Sequence, residues 1–179
     1  MTQVGSVYAE ALYSLALEEN LTEPILEELL ALDAGFRAEP DFLRLMSAPN
    51  LPKAERCQIL DQSFAGKVQP YVLNFMKILT EKGYMRHFSD CCAAFRGLYN
   101  RDHNILCVTA VTALPLTPQQ TDRLKSKLSQ LTGSTIDLSN KIDPTCYGGV
   151  RLDYDGKCVD DTVAHRLDAV RALLKNTVL

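Results

Sequence analysis

Hydrophobic and polar positions along the chain change their rhythm once, near residue 104. Before it, apolar residues recur at helical spacing, broken by "NLTEP", "AEPD" and "APNLP". The spacing predicts six helices, at 3–19, 23–37, 41–47, 52–64, 69–82 and 85–103. Pro24 and Pro52 fall in first turns, where the missing N–H costs nothing, with Thr22 and Asn50 or Leu51 as candidate caps. Gly83 suits the position just past the fifth helix. Helices this short are marginal alone, so the first half is expected to pack as a bundle.

After residue 104 the rhythm turns to β-branched runs and alternation. "ILCVTAVT" reads as a strand at 105–112, and "LTPQQTDRLKSKLSQLTG" as a helix with Thr117 as cap and Pro118 at its first position. Leu124, Leu128 and Leu131 would share its buried face, with Gly133 beyond its end. "TIDLSNKI" places Ile136, Leu138 and Ile142 on one side of a half-wet strand. "GGVRLDYDGKCV" is a hairpin with Asp155 and Gly156 at its corner. Asp160 or Asp161 would cap a last helix whose Val163, Leu167, Val170 and Leu174 form one stripe. The expected fold is α+β: a six-helix bundle over 1–104, then a small β-α-β-β-β-α domain over 105–179.

Two helices are apolar over too wide an arc. At about 100° per residue, Val4, Val7, Tyr8, Ala9, Ala11, Leu12, Leu15 and Ala16 cover roughly 200° of the first. The fifth helix repeats this with Tyr71, Val72, Leu73, Phe75, Met76, Ile78 and Leu79. Either both helices are central in the bundle, or they leave a face that accepts a partner's amphipathic helix.

Composition narrows the function. Net charge is −3, from 19 basic and 22 acidic side chains spread along 179 residues, and there is no Trp. That gives no basic stripe for nucleic acid. No apolar run reaches the roughly 18 residues of a membrane span, so any membrane association is expected to be indirect. The opening twenty residues carry acids and no Arg or Lys, unlike a signal or transit sequence, which makes a bacterial cytoplasm the simplest compartment, although a processed organellar chain would look the same. The six cysteines show no CxxC, and most are expected to be buried, apolar and reduced. No nucleophile, base and orienting group form a local motif, so no catalytic residue, metal or cofactor is assigned. Gly148 and Gly149 precede a strand, whereas a phosphate loop places its glycines before a helix; they mark a bulge or a close backbone crossing. The residues alone thus stop at a two-domain scaffold or adaptor, one that would bind an amphipathic partner helix if the wide arcs leave a free face.

The order of motifs resembles the delta subunit family of F-type ATP synthases, which includes the mitochondrial oligomycin sensitivity-conferring protein. The likeness runs through "YAEALYSLALEEN", "FLRLMSAPNLPKAERCQIL", "LTEKGYMRHF" and "VTAVTALPLTPQQTDRLKSKLSQLTG" to "LSNKIDPTCYGGVRLDYDGKCVDDTVAHRLDAV". In the last, Asp143, Pro144, Gly148, Gly149, Asp160, Arg166 and Leu167 stand at the family's motif positions. Asp161 replaces the family's usual Gly and Thr162 its usual Ser. The resemblance implies a peripheral-stalk subunit without catalysis, sited at the cytoplasmic face of a bacterial plasma membrane. Its first domain would hold N-terminal helices of the alpha subunits, and its second would engage the end of subunit b. The first and fifth helices would form the alpha-binding pair, with Tyr8 and Ala11 at family positions. The wide arcs add Leu15, Val72, Phe75, Met76 and Leu79.

Overall fold

A computed structural model describes residues 3–47 and 51–167. The architecture is α+β, and the chain divides into two compact units after Tyr99. Among the described residues the first unit is built from six α-helices: α1 (Gln3–Glu18), α2 (Thr22–Ala38), α3 (Pro40–Ser47), α4 (Lys53–Phe64), α5 (Pro70–Lys82) and α6 (Phe88–Asp102). The division falls in the last turns of α6, not after residue 104. Asn100 already belongs with the sheet, its Nδ2 donating to the Cys107 sulfur at 3.1 Å.

Each helix contributes one stripe to a single core. Leu12 and Ala16 of α1, Ile25 and Leu29 of α2, and Met46 of α3 meet Leu60, Val72, Met76 and Leu79, all nearly or wholly buried. Rings fill the larger gaps: Phe36 sits against Phe42, Phe64 and Phe88, and Tyr13 packs edge-on to Phe95. Arg56 is the charged exception. Its stem lies in the core and its Nη1 donates to the Met46 carbonyl at 2.8 Å, satisfying an acceptor that the end of α3 would leave open.

Helix ends differ from expectation in three places. Leu21, not Thr22, precedes α2 and offers no side-chain cap, which leaves Pro24 as the third helical residue. Pro52 itself stands before α4, while Asn50 lies outside the described residues. Residues 85–87 form a 3-10 turn, so α6 begins only at Phe88. Gly83 does close α5, at φ +76°, where its N–H reaches back to Leu79 and Thr80.

The second unit is a four-stranded mixed sheet in the order β2-β1-β3-β4, with β1 (Ile105–Thr112), β2 (Thr135–Ile142), β3 (Val150–Tyr154) and β4 (Lys157–Asp160). β1 runs parallel to β2 and antiparallel to β3. α7 (Pro118–Thr132) makes the crossover between β1 and β2, and its start is a full capping box between Thr117 and Gln120. Leu124 and Leu128 are half-buried, but Leu131, in the last turn of α7, is 83% exposed and adds nothing to the buried face. Asn140 interrupts the apolar face of β2 to good effect: it donates to the Ala110 carbonyl and to Thr112 Oγ1, and accepts from the Leu116 N–H. Asp155 and Gly156 both have positive φ, the geometry of the tight hairpin expected there.

Beyond β4, residues 163–167 are helical. Val163 and Leu167 are 42% and 59% exposed; Val170 and Leu174 lie outside the described residues.

Candidate docking surface

The motif of the second unit is a clasp between two backbone segments. Gly149 takes φ +79°, and a Cβ there would strike the Asp161 carbonyl oxygen and Thr162 Cα. Two backbone bonds fasten the crossing: Asp161 donates to Val150 at 3.1 Å and Val163 to Gly148 at 3.0 Å. Asp160 Oδ1 accepts from the Thr162 N–H at 2.9 Å, which holds its carboxyl below the usual range. The cap of the last helix is Thr162 rather than either aspartate, its Oγ1 accepting from the His165 N–H at 3.2 Å. Asp161 instead pairs with Arg166, one turn further on. Asp143 Oδ1 accepts from the Thr145 N–H and hydroxyl, and Pro144 starts the 3-10 turn that follows. Every motif position but the exposed Leu167 is thus used by the fold itself, and the geometry builds a corner.

Cysteines divide evenly. Cys91, Cys92 and Cys146 are buried, and burial pushes the Cys91 thiol up to about 11. Cys57 is half-buried, while Cys107 and Cys158 are exposed, against the expectation that most would be internal. The register explains the last two: Cys107 lies beside Asp137 on β2, and Cys158 is opposite Asp153 on β3, so both sit on the polar face of the sheet.

The wide arcs of α1 and α5 meet different fates. On α1, Ala9, Leu12, Tyr13 and Ala16 enter the core, which occupies one side of the wheel. Next to that side runs a second apolar ribbon: Val7 is 59% exposed, Ala11 is exposed, and Tyr8 and Leu15 are half-buried. Tyr8 leans on Tyr84, ring centres 6.0 Å apart. Val7 and Ala11 give this ribbon its solvent-facing apolar surface, while Tyr8 and Leu15 rest partly against the core.

On α5 the arc is consumed by the core. Val72, Phe75, Met76 and Leu79, expected to meet a partner, are at most 5% exposed and present no surface to one. They point inward because the α5 stripe is wedged among α2, α4 and the Phe88 ring. What α5 offers to solvent is Ile78, 45% exposed, beside half-buried Tyr71. Val7 and Ile78 belong to the arcs read from sequence but were not singled out there. The missing signal was which half of each arc the core takes, which depends on how the helices pack.

A helical unit with a free apolar ribbon, joined to a sheet unit whose motif is structural, defines a protein built to hold others. Residues 4–174 match the family model described as the ATP synthase delta (OSCP) subunit, and the chain belongs to that family. It is 31% identical over 176 residues to ATP synthase subunit delta of Alkaliphilus oremlandii, spanning 98% of both chains. The corresponding subunit of Clostridioides difficile is 28% identical over 176 residues, 98% of this chain and 97% of the relative. The fold is similar to a chain in the mitochondrial ATP synthase hexamer of Toxoplasma gondii, with TM-score 0.76, 20% identity and coverage of 97% and 98%.

Proposed function

We propose that this chain is the peripheral-stalk subunit of an F-type ATP synthase, linking the alpha subunits of the catalytic head to subunit b. The observation that carries the reading is the family match along almost the whole chain. The apolar ribbon of α1 supports the division of labour. The six helices of the first unit act as one bundle whose α1 ribbon receives an N-terminal helix of an alpha subunit, and the second unit grips the end of subunit b. Val7, Tyr8, Ala11 and Leu15 replace the α5 core residues as the contact set.

The task is mechanical. A rotor that turns inside the head exerts torque on it, and a head free to turn along would deliver no work to its nucleotide sites. The stalk opposes that torque, and this subunit performs no chemistry of its own. A helix laid on an apolar ribbon suits the purpose, because burial contributes about 25 cal/mol per Å² and the contact lets go slowly. Among the described residues no helix is long and apolar enough to cross a membrane. The subunit reaches the cytoplasmic face of the bacterial membrane through the complex it joins.

Membranes carrying the synthase but lacking this chain test the function. Proton-driven ATP synthesis is expected to be absent, while ATP hydrolysis by the released head persists, and adding back the full chain restores synthesis. Synthesis at the normal rate without the chain refutes the proposal.

A further inference from the structure

A second binding feature on the first unit shares no residue with the α1 ribbon: a cavity of about 510 Å³ walled by α2, α3 and the end of α4. Its floor is preformed. Phe36 and Phe42 stack with ring centres 5.2 Å apart, and Phe64 meets both edge-on at 6.1 and 5.9 Å. Phe42 and Phe64 are only half-buried, and Val68 closes the end. Along one wall, α2 contributes positions 28 to 36 and Glu39, just past its end, continues the line, a run of about 16 Å at 1.5 Å per residue, or about the length of three helical turns. Ala31 and Gly35, one turn apart and both exposed, keep that wall low enough for another backbone to approach. A Cβ on Gly35 would meet nothing within 4 Å.

Charge selects the occupant. Glu28 and Glu39 line the groove against one cation, Lys67, and the walls formed by residues 22–47 carry six acidic side chains against two basic ones, Arg37 and Arg44. The geometry points to this groove as the dock for a second amphipathic helix of about three turns, supplied by another protein, apolar on one face and basic along its flank. The acidic rim draws in such a helix and repels an acidic one, while the aromatic floor supplies the contact. This site goes beyond the α1 ribbon and does not rest on it.

The test uses the full chain and two synthetic 15-residue amphipathic helices with the same leucine face, one flanked by lysines and one by glutamates. Amide NMR and calorimetry follow binding to the wild type, to Gly35→Leu and to Val7→Asp. Gly35→Leu fills open space and replaces Gly by a good helix former, so the fold is retained. The expected result is that the lysine peptide shifts the amides of Ala31, Gly35 and Phe36, binds at least tenfold more tightly than the glutamate peptide, and loses at least tenfold in affinity with Gly35→Leu. Val7→Asp leaves that affinity unchanged. Equal binding of the two peptides, or binding that survives Gly35→Leu and fails with Val7→Asp, overturns the assignment.

Discussion

Phe75→Asp and Val7→Asp look alike on a helical wheel, since both put a carboxylate on the apolar arc of a helix in the first unit, yet the structure separates them sharply. Phe75 is 5% exposed and its ring lies 6.4 Å from that of Phe88. Removing such a ring costs about 3–5 kcal/mol through lost burial and the cavity left behind. A buried, unpaired carboxylate adds more. At about 4–8 °C per kcal/mol for a unit of this size, the ring alone lowers the midpoint by about 12–40 °C, and the variant is expected to unfold near ambient temperature. Val7 is 59% exposed, so Val7→Asp falls within about 0.5 kcal/mol of wild type. Its effect is on binding. Full burial of a Val is worth about 1.5–3 kcal/mol, and the exposed six-tenths that a partner would cover amounts to roughly 1–2 kcal/mol, near a tenfold loss of affinity before the carboxylate's desolvation is added. Thermal melts followed by circular dichroism, with calorimetric titration against an alpha-subunit N-terminal peptide, measure both. A Phe75→Asp protein that melts like wild type would refute the inward placement of α5, and a Val7→Asp protein with wild-type affinity would refute the role of the α1 ribbon.

Other consequences follow from single contacts. Arg56→Met keeps the stem but loses the bond to the Met46 carbonyl, and is expected to cost about 1–3 kcal/mol in urea unfolding. Gly149→Ala forces a side chain into the 161–162 backbone at φ +79°, and should destabilise the second unit by at least about 1–3 kcal/mol, read as a loss of amide-exchange protection in β3. Asp143 and Asp160 have carboxyls held low by N–H and hydroxyl donors, so their contribution is present above the unfolded value of about 4 and lost as pH falls through their lower folded values. Asp160→Asn should therefore flatten the acid limb of the stability profile. Thiol labelling of the native chain should modify Cys107 and Cys158 promptly, and Cys91 and Cys92 only on unfolding.

Much of this fold was legible in the chain because its signals are local. β1 and β2 fall at their expected bounds, and the Thr117 cap, Pro118 and Gly133 frame α7 as read, since a capping box and a left-handed glycine are set within a few residues. The close crossing expected at Gly148 and Gly149 is present for the reason that glycine implies. What failed depends on distant packing. A wheel shows that α5 is apolar over half its circumference but not that α2, α4 and Phe88 absorb nearly all of it. The cap is Thr162 and not Asp160 or Asp161: both lie in or beside the segment that crosses Gly149, and the helix begins only after it. The groove floored by Phe36, Phe42 and Phe64 joins residues up to 40 positions apart, Glu28 to Val68, and no spacing announces it.

The most direct trial of the stalk assignment is a bridging measurement. The full chain is mixed with catalytic head stripped of this subunit and with the soluble part of subunit b, and the species formed are weighed by analytical ultracentrifugation. The account predicts one complex containing head, chain and subunit b, with Val7→Asp leaving the chain on subunit b while releasing the head. Head and subunit b that sediment apart in the presence of the wild-type chain would contradict it.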